Sequence, residues 1–212
     1  MYREIDLETW ERRTTFEFFR EYKDPFFNMA ANLDVTRLYS FCKERKMPFS
    51  IACLYFSLAT ANDIPEFRFR MIDEKVLEFD RVEATQTILN DDNTFSFCYF
   101  PMMDSLEEFV GIGIENREKY RALKTFDVEA DRLDLIYYSV IPWVSFTSFK
   151  HASSGDNRQT VPRMVFGKMF GDGERRLMPF SVEAHHALMD GYHVGRYFNV
   201  FQEMLDSVDR GL

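Results

Sequence analysis

Three of the four histidines stand in one window, Glu183-Ala184-His185-His186-Ala187-Leu188-Met189-Asp190-Gly191-Tyr192-His193. An imidazole with its ordinary pKa of about 6.5 exchanges protons near neutrality, so one of these rings suits a general base acting on a hydroxyl or thiol. A second chemistry is open. Placed on one helix, His186, Asp190 and His193 at i, i+4 and i+7 would share a face as a two-histidine, one-carboxylate metal triad. A third reading is structural, with satisfied histidines closing a strand and Asp190 capping the last helix. Spacing favours the base without closing the other two readings. Neighbouring strand residues point to opposite faces, so His185 and His186 divide into one chemical ring and one structural ring. Cys42, Cys53 and Cys98 are odd in number and lack a C-x-x-C pair. They read as reduced core thiols, which argues against a cysteine nucleophile.

The frame that must hold the window is a mixture of helices and strands. Leu7, Trp10, Phe16 and Phe19 predict an amphipathic helix from Asp6, as its cap, to Arg20, closed by Pro25. A strand over Phe26 to Asp34, a helix through Leu38, Phe41 and Cys42, and a buried helix from Pro48 follow. Strands are expected over Phe67 to Met71, Val76 to Phe79, Gln86 to Leu89 and Thr94 to Phe100. A helix over Leu106 to Arg121 leads to a strand over Leu133 to Val140 that Pro142 interrupts. Strands Met164 to Phe170 and Arg176 to Ala184, joined through Gly171-Asp172-Gly173, precede a last helix from Asp190-Gly191 to Leu205. These blocks are too uneven for a doubly wound repeat. They predict an α/β chain, a two-layer sandwich with a mixed sheet covered by helices.

The chain has 212 residues, and its 26 Lys+Arg against 35 Asp+Glu give a net charge of −9. That sign argues against nucleic acid and anionic bilayers as partners. No linker or repeat interrupts the chain, so residues 1–212 read as a single domain. No run reaches the roughly 18 apolar residues of a membrane span, and the opening Met1-Tyr2-Arg3-Glu4-Ile5-Asp6 has no signal-peptide core, so the expected compartment is the cytoplasm. Twenty-three Phe and ten Tyr are in the main core filling, and a surplus of such rings also suits a pocket for a hydrophobic or aromatic ligand.

The run His185-His186-Ala187-Leu188-Met189-Asp190-Gly191-Tyr192-His193-Val194-Gly195-Arg196 resembles the signature of the chloramphenicol acetyltransferases. The bare H-H-x-x-x-D-G is shared with other CoA-dependent acyltransferases, and Tyr192-His193 is the narrower mark. Pro142-Trp143-Val144-Ser145-Phe146-Thr147-Ser148-Phe149, Trp10-Glu11-Arg12-Arg13 with Phe16-Glu17-Phe18, and Thr94-Phe95-Ser96 extend the likeness along nearly the whole chain. The resemblance implies a two-layer α/β subunit, a homotrimer with active sites at subunit interfaces, and acetyl-CoA as co-substrate. It implies His186 as the base toward the acceptor hydroxyl, Ser139 as donor to the tetrahedral oxyanion, and Asp190 held by Arg12 in an ion pair. Trp143 and Lys168 are implied on the CoA side, and Phe19, Phe95 and Phe149 on the acceptor side. No metal is implied.

The acceptor side departs from the family pattern. Phe19 stands where better-known members carry a tyrosine that bonds the antibiotic, Val165 replaces a threonine that helps hold a bridging water, and Glu183 replaces a glutamine. The segment His151 to Gln159 is polar where apolar lining is expected. Two alternatives therefore accompany acetylation of chloramphenicol or a related small molecule. One is an acetyltransferase for a different hydroxyl acceptor; the other is a non-catalytic relative that binds CoA or a hydrophobic ligand.

Overall fold

The computed structural model describes residues 1–123, 129, 132–152 and 159–210, so most of the polar segment between His151 and Gln159 lies outside the described residues. Chain order begins with strand β1 (Tyr2–Glu4), helix α1 (Arg13–Phe19), strand β2 (Phe26–Asp34) and helices α2 (Thr36–Glu44) and α3 (Phe49–Asp63). Strands β3 (Phe69–Ile72), β4 (Lys75–Phe79), β5 (Glu83–Leu89) and β6 (Phe95–Phe100) follow, then helix α4 (Leu106–Leu123). Strands β7 (Leu135–Val140), β8 (Arg163–Phe166), β9 (Phe170–Asp172) and β10 (Arg175–His185) lead to helix α5 (Gly191–Asp206).

The main sheet runs β2-β10-β8-β7-β5-β6, with β9 paired to β10. The β5–β7 and β7–β8 pairs are parallel and the others antiparallel, which makes the sheet mixed, as the sequence predicts. Period-two alternation turns Phe180, Val182 and Ala184 of β10, Met164 and Phe166 of β8, and Ile136 and Tyr138 of β7 to one side. There they form one core with α3 and α5. Helix α3 is buried at ten of its fifteen residues, the composition required of a helix that is covered on all sides. Its Ser57 hydroxyl lies 3.0 Å from the Tyr138 hydroxyl and 2.5 Å from that of Tyr197, tying α3, β7 and α5 together. Ser139, Val165, Ser181 and Glu183 alternate onto the opposite face.

The first helix differs from expectation. Asp6 accepts from the Glu8 N–H at 3.0 Å and closes a turn of its own, and α1 begins only at Arg13. A short side chain that can bond its own backbone offers the chain this alternative to a cap. Trp10 packs at 5.8 Å on Phe16 and 5.9 Å on Phe69, which fixes that turn against a small sheet, β1-β4-β3, that the sequence did not reveal. Phe67 and Arg68 belong to a 3₁₀ turn, and the strand expected there starts at Phe69. The strand expected over Met164 to Phe170 divides at Gly167, where a Cβ would lie 2.9 Å from the Phe146 ring and 3.0 Å from Pro179. The β9–β10 turn falls one residue later than expected, with Gly173 at φ 62°, a conformation that costs glycine little.

Candidate active site

A second, smaller core decides where His186 stands. Phe16 of α1, Phe69, Met71 and Val76 of the small sheet, and Ala187 and Leu188 from the turn after β10 are all buried together. The turn is closed by the Leu188 and Met189 N–H groups, which donate to the His185 carbonyl at 3.0 and 3.2 Å. His185 is fully buried, and its Nδ1 accepts from the Ala187 N–H at 3.3 Å. His186, one residue on, is half-buried. Its ring stacks on Phe19 with 3.9 Å between centroids and 4° between planes, and Phe27 packs against it tilted by 47° at 4.8 Å. The His186 Nδ1 is buried with no hydrogen-bond partner among the described residues, which leaves Nε2 as the nitrogen open to a substrate. Aromatic packing, rather than a carboxylate, fixes the plane of this imidazole.

Asp190 caps α5 by accepting from the Tyr192 N–H at 3.0 Å, and its other oxygen receives the Arg12 guanidinium at 2.7 Å. Burial opposes ionisation of Asp190, but the Arg12 hydrogen bond, the nearby His193 and the Tyr192 N–H outweigh it and hold the carboxyl below its usual value. The helix begins only after Asp190, whereas His186 lies in the preceding turn. His186, Asp190 and His193 therefore share no helix face, and the metal-triad geometry that spacing allowed is not formed.

The other residues singled out by sequence gather at the far end of the strands. Cα pairing places Ser139, Val165 and Ser181 in one row across β7, β8 and β10. His186 lies five residues beyond Ser181 and two strands from Ser139. At about 3.3 Å per residue and 4.8 Å between strands, the two residues stand roughly 20 Å apart within one chain. Val165, fully buried, puts two methyl groups beside Ser139 where a threonine would offer a hydroxyl. Lys168 lines a cleft of about 210 Å³ with Phe49, Cys53, Val140, Pro142 and Met178. Trp143 projects beside it, 61% exposed, and its loop is pinned by the Lys168 N–H to the Val144 carbonyl at 3.0 Å. Phe95 sits at this end on β6, 42% exposed. Phe149 lies on the loop that crosses the open face of the sheet, 5.9 Å from Phe146 and 5.0 Å from the His151 ring.

That loop ends over Glu183. One Glu183 oxygen takes Arg163 at 2.8 Å and the other takes the His151 N–H at 3.1 Å, all beneath Phe26, whose ring lies 4.5 Å from the Arg163 guanidinium. Burial again opposes ionisation, but the ring and N–H of His151 and the charge of Arg163 hold the Glu183 carboxyl below its usual value. A carboxyl with a lowered folded pKa stabilises the fold above its unfolded pKa, and that stabilisation is lost as pH falls through the folded value. Glu183→Gln leaves Arg163 buried without its counter-charge, at a cost of about 3 kcal/mol. For a chain of this size, a fall in Tm of roughly 6–12 °C at pH 7 is expected. The gap between mutant and wild type should narrow in thermal melts as pH falls through the lowered pKa of Glu183, and a gap independent of pH would show that the ion pair does not carry it.

Arg70 is a residue that sequence reasoning passed over. It is fully buried and donates to the carbonyls of Phe67, Phe69, Leu133 and Leu135, at 2.6–2.9 Å. Burial lowers its pKa to about 9, and its four bonds lock the small sheet to the start of β7.

A family profile described as "CAT: Chloramphenicol acetyltransferase" matches residues 1–202. The chain is 29% identical over 211 residues to a chloramphenicol acetyltransferase of Klebsiella sp, covering 99% of this chain and 96% of that one. It is 28% identical over 208 residues to chloramphenicol acetyltransferase 3 of Escherichia coli, covering 97% and 98%. A solved structure titled chloramphenicol acetyltransferase superposes with a TM-score of 0.82 at 25% identity, covering 97% of this chain and all of that one. The cubic core of a pyruvate dehydrogenase multienzyme complex shares the fold, with a TM-score of 0.66 at 16% identity over 88% of this chain and 83% of that one. With the profile spanning almost its whole length, the chain belongs to the chloramphenicol acetyltransferase family of acyltransferases.

Proposed function

We propose that this enzyme transfers the acetyl group of acetyl-CoA directly to a hydroxyl of chloramphenicol or a related small molecule in a ternary complex. The observation that carries the reading is the His186 ring, held by Phe19 and Phe27 with Nδ1 buried and Nε2 outward, beside the Arg12–Asp190 pair. The acceptor O–H gives its proton to Nε2 while its oxygen attacks the thioester carbon. The resulting oxyanion collapses, the C–S bond breaks, and the imidazolium returns the proton to the leaving thiolate. Ser139 donates to the oxyanion, the charge that most rewards a fixed donor.

A Ser139 that stands roughly 20 Å from His186 in its own chain cannot serve that chain's base, so the oxyanion donor comes from a second copy. A closed ring of three copies would complete three such sites from one repeated contact. Trp143 and Lys168 are assigned to CoA, with the lysine as a point charge for a phosphate. Phe19, Phe95 and Phe149 are assigned to the acceptor as flat apolar walls. The reaction needs no metal. The core, which runs from Leu33 to Val208, supports one acetyltransferase domain over residues 1–212. Among the described residues no helix is long and apolar enough to cross a membrane, and the cytoplasm is proposed as the working compartment, with antibiotic resistance as the cellular outcome.

The test is thiol release from acetyl-CoA by purified protein, with and without chloramphenicol. Chloramphenicol-dependent release is expected. Release with neither, accompanied by acetyl-CoA binding, would move the acceptor to another hydroxyl compound. Phe19, which lacks a hydroxyl over the base, and Val165 beside Ser139 are the observations that favour this second acceptor reading.

A further inference from the structure

His193 lies outside the reaction as written, yet it is 8% exposed and surrounded by the groups that hold Asp190. Asp190 enters the helix with extended backbone, φ −135° and ψ −173°, which turns its own N–H inward and requires an acceptor there. The acceptor is His193 Nδ1, at 3.1 Å. A nitrogen that accepts carries no proton, so the proton of the neutral ring sits on Nε2, 3.5 Å from a Glu66 oxygen. The other Glu66 oxygen is buried with no hydrogen-bond partner among the described residues, so His193 is the polar neighbour toward which this carboxylate is turned. The same Nδ1 is also 3.0 Å from Asp190 Oδ1. Were Nδ1 protonated, it would have to release the Asp190 N–H and compete with Arg12 and Tyr192 for the carboxylate. The tautomer of this one ring therefore decides whether Asp190 keeps its place.

We propose that His193 is a positioning residue for the transfer reaction: with its tautomer set by Glu66, it anchors the Asp190 backbone so that the carboxylate holds Arg12 and the turn carrying His186 is fixed. The chain of contacts runs from the 3₁₀ turn at residues 65–68, through His193, to Asp190 and Arg12. The catalytic part of this inference rests on His186 as the base; the tautomer does not.

Two measurements separate them. Two-bond ¹H–¹⁵N spectra of the full chain at pH 8, with His193 identified by its loss in His193→Asn, should show one neutral ring protonated at Nε2 only. A ring protonated at Nδ1, or at both nitrogens, would overturn the proposal, and this readout stands even if chloramphenicol proves not to be the acceptor. In turnover assays, His193→Phe keeps the ring's bulk without an acceptor, and a loss in kcat of about 10- to 100-fold is expected from a displaced base. KM for acetyl-CoA should stay within about twofold, because Trp143 and Lys168, the residues assigned to CoA, are not among the groups that His193 holds. His193→Asn restores an acceptor near the Nδ1 position and should recover kcat to within about threefold of wild type. Equal losses in the Phe and Asn variants, or an unchanged kcat in His193→Phe, would show that His193 only packs.

Discussion

His186→Ala should lose turnover by about 10²–10⁴-fold, the range a positioned general base supplies, while folding and binding acetyl-CoA like the wild type. The two halves of that expectation come from different parts of the structure. Turnover falls because no other described histidine can replace the ring. His185 and His193 are buried, with Nδ1 atoms committed to backbone N–H groups, and His151 stands beside Glu183 at the end of the loop that carries Phe149. The fold survives because the turn is held by Ala187, Leu188 and the backbone bonds to His185, none of which needs the imidazole. Losing the ring packed on Phe19 and Phe27 costs about 1 kcal/mol, a fall in Tm of roughly 2–4 °C. Acetyl-CoA affinity, read by calorimetry, should be unchanged if Trp143 and Lys168 hold the co-substrate, because neither residue belongs to the turn that carries His186. A variant that keeps wild-type kcat would move the proton transfer away from His186.

The parts of the fold governed by local periodicity were legible in the sequence. β10 reads as alternating residues, α5 begins at an aspartate cap, and α3 is mostly apolar, so each was placed within a few residues. Parity predicted that His185 and His186 would divide without saying which ring would be which, and the structure buries His185 at the end of β10 and leaves His186 half-buried in the turn that follows. What depends on contacts distant in sequence was not legible. Strand β1 exists only because Tyr2–Glu4 pairs with Leu77–Phe79, and nothing in the local pattern marks Arg70 as buried before its four carbonyl partners are brought together. The metal triad failed because spacing cannot tell a turn followed by a helix from one continuous helix. The separation of Ser139 from His186 was hidden for a related reason: it follows from the order of β7, β8 and β10 in the sheet and not from any local pattern.

That separation leads to an experiment whose outcome depends on neither mutant alone. Ser139→Ala should lower kcat by about 10²–10³-fold through loss of one oxyanion donor, and His186→Ala by at least as much. If both residues of one site came from the same chain, mixing the two inactive proteins would restore nothing. If the base of one copy meets the serine of the next, each Ser139→Ala subunit brings an intact His186 and each His186→Ala subunit an intact Ser139. A contact joining them in the right order is then a complete site. Random assembly of equal amounts into a closed ring gives that order at about one contact in four, so co-refolded mixtures should regain roughly a quarter of wild-type activity. Recovery should require exchange of subunits, appearing after unfolding and refolding together and not after simple mixing of folded proteins. Activity that stays at the level of the single mutants would place Ser139 outside the site and assign the oxyanion to donors near His186. The register across β8 argues against that outcome, because a hydroxyl two strands and five residues away has no path to the thioester carbon within its own chain.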